Sequence, residues 1–155
     1  CMTGWRIGYT AGPQEIIDGM ATIQSQETSN PTSISQKAAL AALNGPEDFL
    51  AAMLVEYDRR RKYVVGRLNA MNGVTCVEPK GAFYVYPNVS AHYGRTLGGK
   101  VIDGSVAFCE YMLVEKHIAL VPGAGFGTDE NVRISYASSM AALEKALDRF
   151  EEGLK

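Results

Sequence analysis

Long stretches with helical periodicity alternate in this chain with apolar runs only a few residues long, each closed by glycine or proline. That spacing predicts helices packed around a small antiparallel sheet. Ile16, Ile17, Met20 and Ile23 recur at helical spacing after Pro13, which suits a first helical turn. A second helix is expected from about Ser33 to Leu43, stopped by Asn44-Gly45-Pro46. The longest is expected from about Pro46 to Met71, with Leu50, Met53, Leu54, Tyr57, Val64, Val65, Leu68 and Met71 as its stripe. Two more are predicted, one from Ser105 to Lys116 with Val106, Cys109, Met112 and Leu113 on one face. The other runs from Ser139 to Leu154, with Met140, Leu143, Leu147, Phe150 and Leu154 as its stripe.

The strands are predicted from alternation. Trp5, Ile7 and Tyr9 take one face of a first strand and Arg6 the other. Val74–Glu78 and Ala82–Tyr86 read as an antiparallel pair that turns at Gly81. Ala119–Val121 and Val132–Ala137 complete the set, and Ser90–Gly104 reads as a polar, mobile surface loop. Residues 74 onward therefore suit a compact α+β domain. Residues before about 45 read as part of a larger α/β body.

Several function classes find no support. A formal net charge of −2 gives no reason to expect nucleic acid. The one basic run, Arg59-Arg60-Arg61-Lys62, is flanked by Glu56 and Asp58 and reads as a solvated helix face. No apolar run reaches the roughly 20 residues of a membrane helix, so no membrane partner is expected. Cys1, Cys76 and Cys109 have no metal-ligand spacing; reduced thiols in a cytoplasmic protein are the simplest reading. His92 and His117 are expected at the surface, and no metal site is expected.

Two arginines carry the candidate chemistry. Arg6 lies between Gly4 and Gly8, small neighbours that let a ligand approach the backbone. A guanidinium there binds a phosphate or carboxylate through a forked pair of bonds, or it simply snorkels from a strand edge. Arg133 alternates with Val132, Ile134 and Tyr136. It serves either as a carboxylate clamp of a geometry that lysine cannot copy, or as half of a structural ion pair. Pro122–Gly127 lacks the lysine and element order of a P-loop. It reads as a turn presenting Phe126, to the core or to a ligand.

Four motifs, in order, resemble those of the class I/II pyridoxal-phosphate-dependent aminotransferases of the aspartate aminotransferase type, which have fold type I. They are Met2-Thr3-Gly4-Trp5-Arg6-Ile7-Gly8-Tyr9, Pro79-Lys80-Gly81-Ala82-Phe83-Tyr84, Val121-Pro122-Gly123 with Phe126-Gly127, and Val132-Arg133-Ile134-Ser135-Tyr136-Ala137. The resemblance extends over essentially the whole chain. It implies residues 1–45 as a remnant of the large cofactor-binding domain, and 46–155 as the C-terminal small domain with a short antiparallel sheet covered by helices. It also implies that Arg6 binds the cofactor phosphate and Arg133 the substrate α-carboxylate, both facing one cleft. Phe126 and the Gly81 turn would then form part of its wall, and Asn30–Ser35 would lie near a homodimer interface.

The family's reaction moves an amino group between an amino acid and a 2-oxo acid, with pyridoxal 5′-phosphate as cofactor. The family's Schiff-base lysine stands a few residues before Met-Thr-Gly, so here it is expected upstream of Cys1. Lys37, Lys62, Lys80, Lys100 and Lys116 match no such motif. No catalytic residue is therefore expected within the chain, which reads as a C-terminal fragment, inactive alone and without bound cofactor. Two other readings share the motifs. One is a lyase or synthase of the same fold acting on an amino acid; the other is a non-catalytic regulator domain.

Overall fold

A computed structural model of the chain describes residues 2–155; the sequence reading at Cys1 lies outside them. The chain divides into two compact units, one ending at Ala52 and the other spanning Met53–Lys155. The division falls inside the long helix.

The first unit holds α1 (Gln14–Glu27), α2 (Ser33–Leu43) and the start of α3 (Asp48–Asn69). The helices form where the stripes place them, and Pro13 stands immediately before α1, its carbonyl accepting from Ile16 N and Ile17 N. The expected strand Trp5–Tyr9 is not formed. Thr3–Trp5 is a single 3-10 turn, and Arg6 closes it in the left-handed region at φ 52°. A strand needs a neighbour to take its backbone hydrogen bonds, and among the described residues none lies beside it. The backbone turns on itself instead: Trp5 N donates to Met2 O at 3.0 Å. Ser35, buried in α2, donates its hydroxyl to Trp5 O at 2.8 Å and anchors the turn.

Five short strands, the remainder of α3 and two further helices make the second unit. The strands are β1 (Tyr84–Val85), β2 (Thr96–Leu97), β3 (Lys100–Val101), β4 (Val121–Pro122) and β5 (Val132–Ser135). The helices are α4 (Ser105–Lys116) and α5 (Met140–Gly153). β5 is central in an antiparallel sheet of order β1-β5-β4, with Tyr84 opposite Ser135 and Val121 opposite Arg133. Val85, Val132 and Tyr136 bury their side chains against Val64 and Leu68 of α3, Phe108 and Met112 of α4, and Leu143, Leu147 and Phe150 of α5. Burying each such side chain contributes about 1.5–3 kcal/mol. Phe108 and Phe150 meet edge to face at 5.8 Å. Arg67 of α3 donates to Asp148 of α5 at 2.7 Å and to Tyr63 Oη at 2.8 Å, closing the helix pair at its rim.

Further expectations are corrected. Val74–Glu78 and Ala82–Tyr86 do not pair as a hairpin. Tyr84–Val85 pairs with β5, and Val74–Glu78 contributes one bridge, Thr75 to Asn88. The ladder stops there because Asn69 takes the next residue's bonds: Cys76 N donates to its Oδ1 at 2.7 Å, and its Nδ2 donates to Cys76 O at 2.9 Å. The left-handed residue of the following turn is Ala82, φ 60°, not Gly81.

Ser90–Gly104 is not a featureless loop. It holds the β2–β3 hairpin, buries Leu97 and Ile102, and carries His92 inward. His92 is buried, not at the surface. Its Nε2 donates to Asn72 O at 3.0 Å, which leaves Nδ1 to accept from Arg95 at 3.0 Å. Arg95 in turn donates to the carbonyls of Leu154 and Lys155 beyond α5.

On α4 the buried face is Ser105, Phe108, Cys109 and Met112, while Val106 and Leu113 are exposed. A phenyl ring removes more apolar area from water than valine, so Phe108 sets the rotation.

The basic run lies among carboxylates. Arg59 and Arg60 pair with Glu56, Lys62 with Asp58, and Arg61 with Asp58 and Glu78. Arg59 and Lys62 are solvated, whereas Arg60 and Arg61 are largely covered. No single helix among the described residues is long and apolar enough to cross a membrane.

Candidate functional site

One face of the β1-β5-β4 sheet packs inward; the other presents Tyr84, Arg133 and Ser135. This is the alternation read from sequence, and it puts the Arg133 side chain on the face away from the core. The guanidinium carbon lies 4.5 Å from the centre of the Tyr84 ring and 4.8 Å from that of Phe126. Two aromatic rings therefore lie within cation–π range of one guanidinium, each worth about 0.5–1 kcal/mol at a partly exposed site. No carboxylate among the described residues is within ion-pair range of Arg133, and no side-chain acceptor takes its N–H groups. Of the two sequence readings, the structural ion pair is thus not formed. What remains is a planar donor whose geometry matches a carboxylate fork.

Phe126 comes from the Gly123–Phe126 3-10 turn between β4 and β5. Its ring is 53% exposed, so it is not a core residue. Tyr86 meets it edge to face at 6.3 Å and shares a 2.6 Å hydroxyl hydrogen bond with Thr128. Gly123 has to be glycine, because an added Cβ would fall onto the carbonyl oxygens of Asn131 and Thr128. The turn is pinned to the start of α4: Ser105 N and Ser105 Oγ donate to Asp129 Oδ1, and Ala124 N donates to Ser105 Oγ. Those bonds from Ser105 hold the Asp129 carboxyl below its ordinary range. Gly81 lies exposed in the turn leading to Tyr84, with open space around its α-carbon. That turn is tied to β5 through Tyr136, whose buried hydroxyl donates to Ala82 O at 2.8 Å.

Arg6 lies in the first unit and Arg133 in the second. Arg6 is exposed; its Nη1 donates to Thr3 O at 3.1 Å, and no carboxylate among the described residues pairs with it. Gly4 and Gly8 leave space on either side of it. A phosphate ester fits such an arrangement: one uncommitted cation beside an open backbone. Burial pushes the Cys76 thiol up, and the Cys109 thiol to about 12, so neither is an activated nucleophile. His117 is exposed at the end of α4.

Sequence reasoning missed Tyr84, Ser105 and Asp129. Tyr84 was within reach, since it alternates with Val85 in a strand whose partner carries Arg133. Ser105 and Asp129 stand 24 residues apart and carry no local signal.

The small antiparallel sheet of this α+β scaffold has helices on its inner face and presents, on the other, an arginine beside two rings with no ion-pair partner among the described residues. The Aminotransferase class I and II family matches residues 1–150, and this chain belongs to it. It is 53% identical over 152 residues to the aspartate/prephenate aminotransferase of Cereibacter sphaeroides, covering 97% of this chain and 38% of that protein. Among solved structures, it resembles the aspartate aminotransferase from Rhizobium meliloti with a TM-score of 0.84 and 48% identity, covering 99% of this chain and 38% of the other. It also resembles the aromatic aminotransferase from Pyrococcus horikoshii OT3, with a TM-score of 0.78 and 42% identity, over 97% and 39%. The chain thus spans less than two-fifths of the relatives it matches.

Proposed function

We propose that this chain is the C-terminal part of an aminotransferase that moves an amino group between aspartate, or a related amino acid, and a 2-oxo acid. The observation that carries this reading is Arg133, beside the rings of Tyr84 and Phe126 with no carboxylate partner among the described residues. A guanidinium with uncommitted N–H groups binds a carboxylate in its own plane, and so orients the carbon attached to it. Residues 1–45 belong, on this reading, to the large domain and 46–155 to the small one. Arg6 holds the phosphate of pyridoxal 5′-phosphate. When bound, the cofactor supplies an electron sink for the charge left at the α-carbon. Arg133 fixes the substrate, Phe126 and Tyr84 keep water off the guanidinium faces, and the Gly81 turn leaves the cleft mouth open.

The lysine that moves the α-proton belongs to the part of the relatives' length that this chain does not span. The complete enzyme works as a homodimer in the cytoplasm, where Cys76 and Cys109 stay reduced, with neither nucleic acid nor membrane as partner. The names of the relatives support aspartate as substrate. The test compares the complete polypeptide with residues 1–155 alone, each supplied with pyridoxal phosphate, aspartate and 2-oxoglutarate. The complete polypeptide is expected to form oxaloacetate and glutamate, and residues 1–155 to show neither turnover nor the visible absorbance of bound cofactor. Turnover by residues 1–155 would refute the placement of the lysine. Elimination without amino-group transfer by the complete polypeptide would refute the reaction.

A further inference from the structure

We propose that Ser105 and Asp129 are positioning residues for the Arg133 carboxylate site: together they hold the turn that sets the Phe126 ring against the guanidinium. The inference rests on the reading of Arg133 given above.

Gly104 stands at the position before α4 where a capping side chain usually sits, and it has none to offer. The cap comes from 24 residues further along the chain. Asp129 Oδ1 accepts from Ser105 N at 3.0 Å and from Ser105 Oγ at 2.6 Å. The absence of a side chain at Gly104 is what lets Asp129 in, because an added Cβ would lie 2.5 Å from Oδ2. The same serine oxygen, fully buried, accepts from Ala124 N at 3.1 Å, inside the turn that ends at Phe126. Tyr93 Oη donates to Asp129 O at 2.6 Å and fixes the other side of the residue.

Phe126 itself has little to hold it. Half its surface is in solvent, and its aromatic neighbours are Tyr86 and the Tyr84–Arg133 stack. An exposed ring keeps its place through the backbone that carries it rather than through burial. The bonds that cap α4 are therefore also the bonds that place Phe126 over Arg133. A helix cap alone would not require the Ser105 hydroxyl to reach Ala124.

The test uses the complete polypeptide and succinate, a dicarboxylate with no amino group to react. Calorimetric titration is paired with backbone amide exchange over residues 123–128. Asp129→Ala is expected to weaken succinate binding about three- to fivefold, the loss of one ring's stacking on the cation. Exchange over 123–128 rises in the same variant. Asp129→Asn is expected to restore affinity to within about twofold, because its carbonyl oxygen still accepts both bonds. Ser105→Ala leaves Asp129 capping Ser105 N and loses only the Ala124 tether; it is expected to weaken binding and raise exchange as well. It carries the test if Asp129→Ala does not fold. Lower melting temperatures with unchanged succinate affinity in both alanine variants would overturn the proposal and leave a helix cap only. Unchanged succinate binding in Arg133→Ala would overturn the reading of Arg133, and this inference with it.

Discussion

Replacing Arg133 by lysine keeps a positive charge on β5 and removes the planar fork. In the parent the guanidinium lies 4.5 and 4.8 Å from two ring centres and has its in-plane N–H groups uncommitted. A carboxylate gains two charge-assisted bonds from it, and lysine offers a point charge that reproduces one of them. Losing one such bond costs about 1.5–3 kcal/mol. The weaker fit of an ammonium between the rings adds up to ~1 kcal/mol. The total, about 1.5–4 kcal/mol, corresponds to a roughly 10- to 700-fold weaker carboxylate. The measurement is the dissociation constant of succinate for the complete polypeptide and its Arg133→Lys variant. Succinamide, which lacks both carboxylates, serves as control. The parent should prefer succinate, and the variant should lose most of that preference. A variant that binds succinate within about threefold of the parent would show that charge alone sets affinity, and would refute the forked geometry.

Three further outcomes are expected. Asn69→Ala removes both partners of the Cys76 backbone and should destabilise the protein by about 2–4 kcal/mol in urea denaturation. A loss below ~0.5 kcal/mol would mean water replaces the amide. His92 is buried against Arg95, and burial holds its imidazole below the ordinary value of 6.5. The folded protein thus binds this proton less readily than the unfolded chain, so stability should be full above about pH 6.5 and fall as the pH drops below it. Melting curves between pH 5 and 8 should show that slope for the parent and a flatter one for His92→Gln. Gly123→Ala drives a methyl group into the Asn131 and Thr128 carbonyls. It should displace the Phe126 turn and weaken succinate binding; unchanged binding and melting would contradict the packing described.

The helices were legible because their apolar stripes are local. Ser33–Leu43 forms as read, and Leu143, Leu147 and Phe150 are buried as their spacing requires. The face of Arg133 was legible too, since a strand alternates whatever its partner. Trp5–Tyr9 failed for the complementary reason: an apolar alternation becomes a strand only where another strand accepts its backbone bonds, and here a 3-10 turn closes on Arg6. Ser90–Gly104 misled because its buried residues, His92, Leu97 and Ile102, are too sparse to make a period.

The order of motifs, the helical stripes and the outward side of β5 were determined by the sequence alone, because each depends on residues a few positions apart. Tertiary structure decided which groups meet: Tyr84 and Phe126 over Arg133, Asp129 on Ser105, Asn69 on Cys76 and His92 against Arg95. Tyr84 and Arg133, and Ser105 and Asp129, stand too far apart for any period to join them, and the nearer pairs are separated by turns that interrupt any period. Their pairing follows from how the sheet and helices pack, which no local pattern encodes.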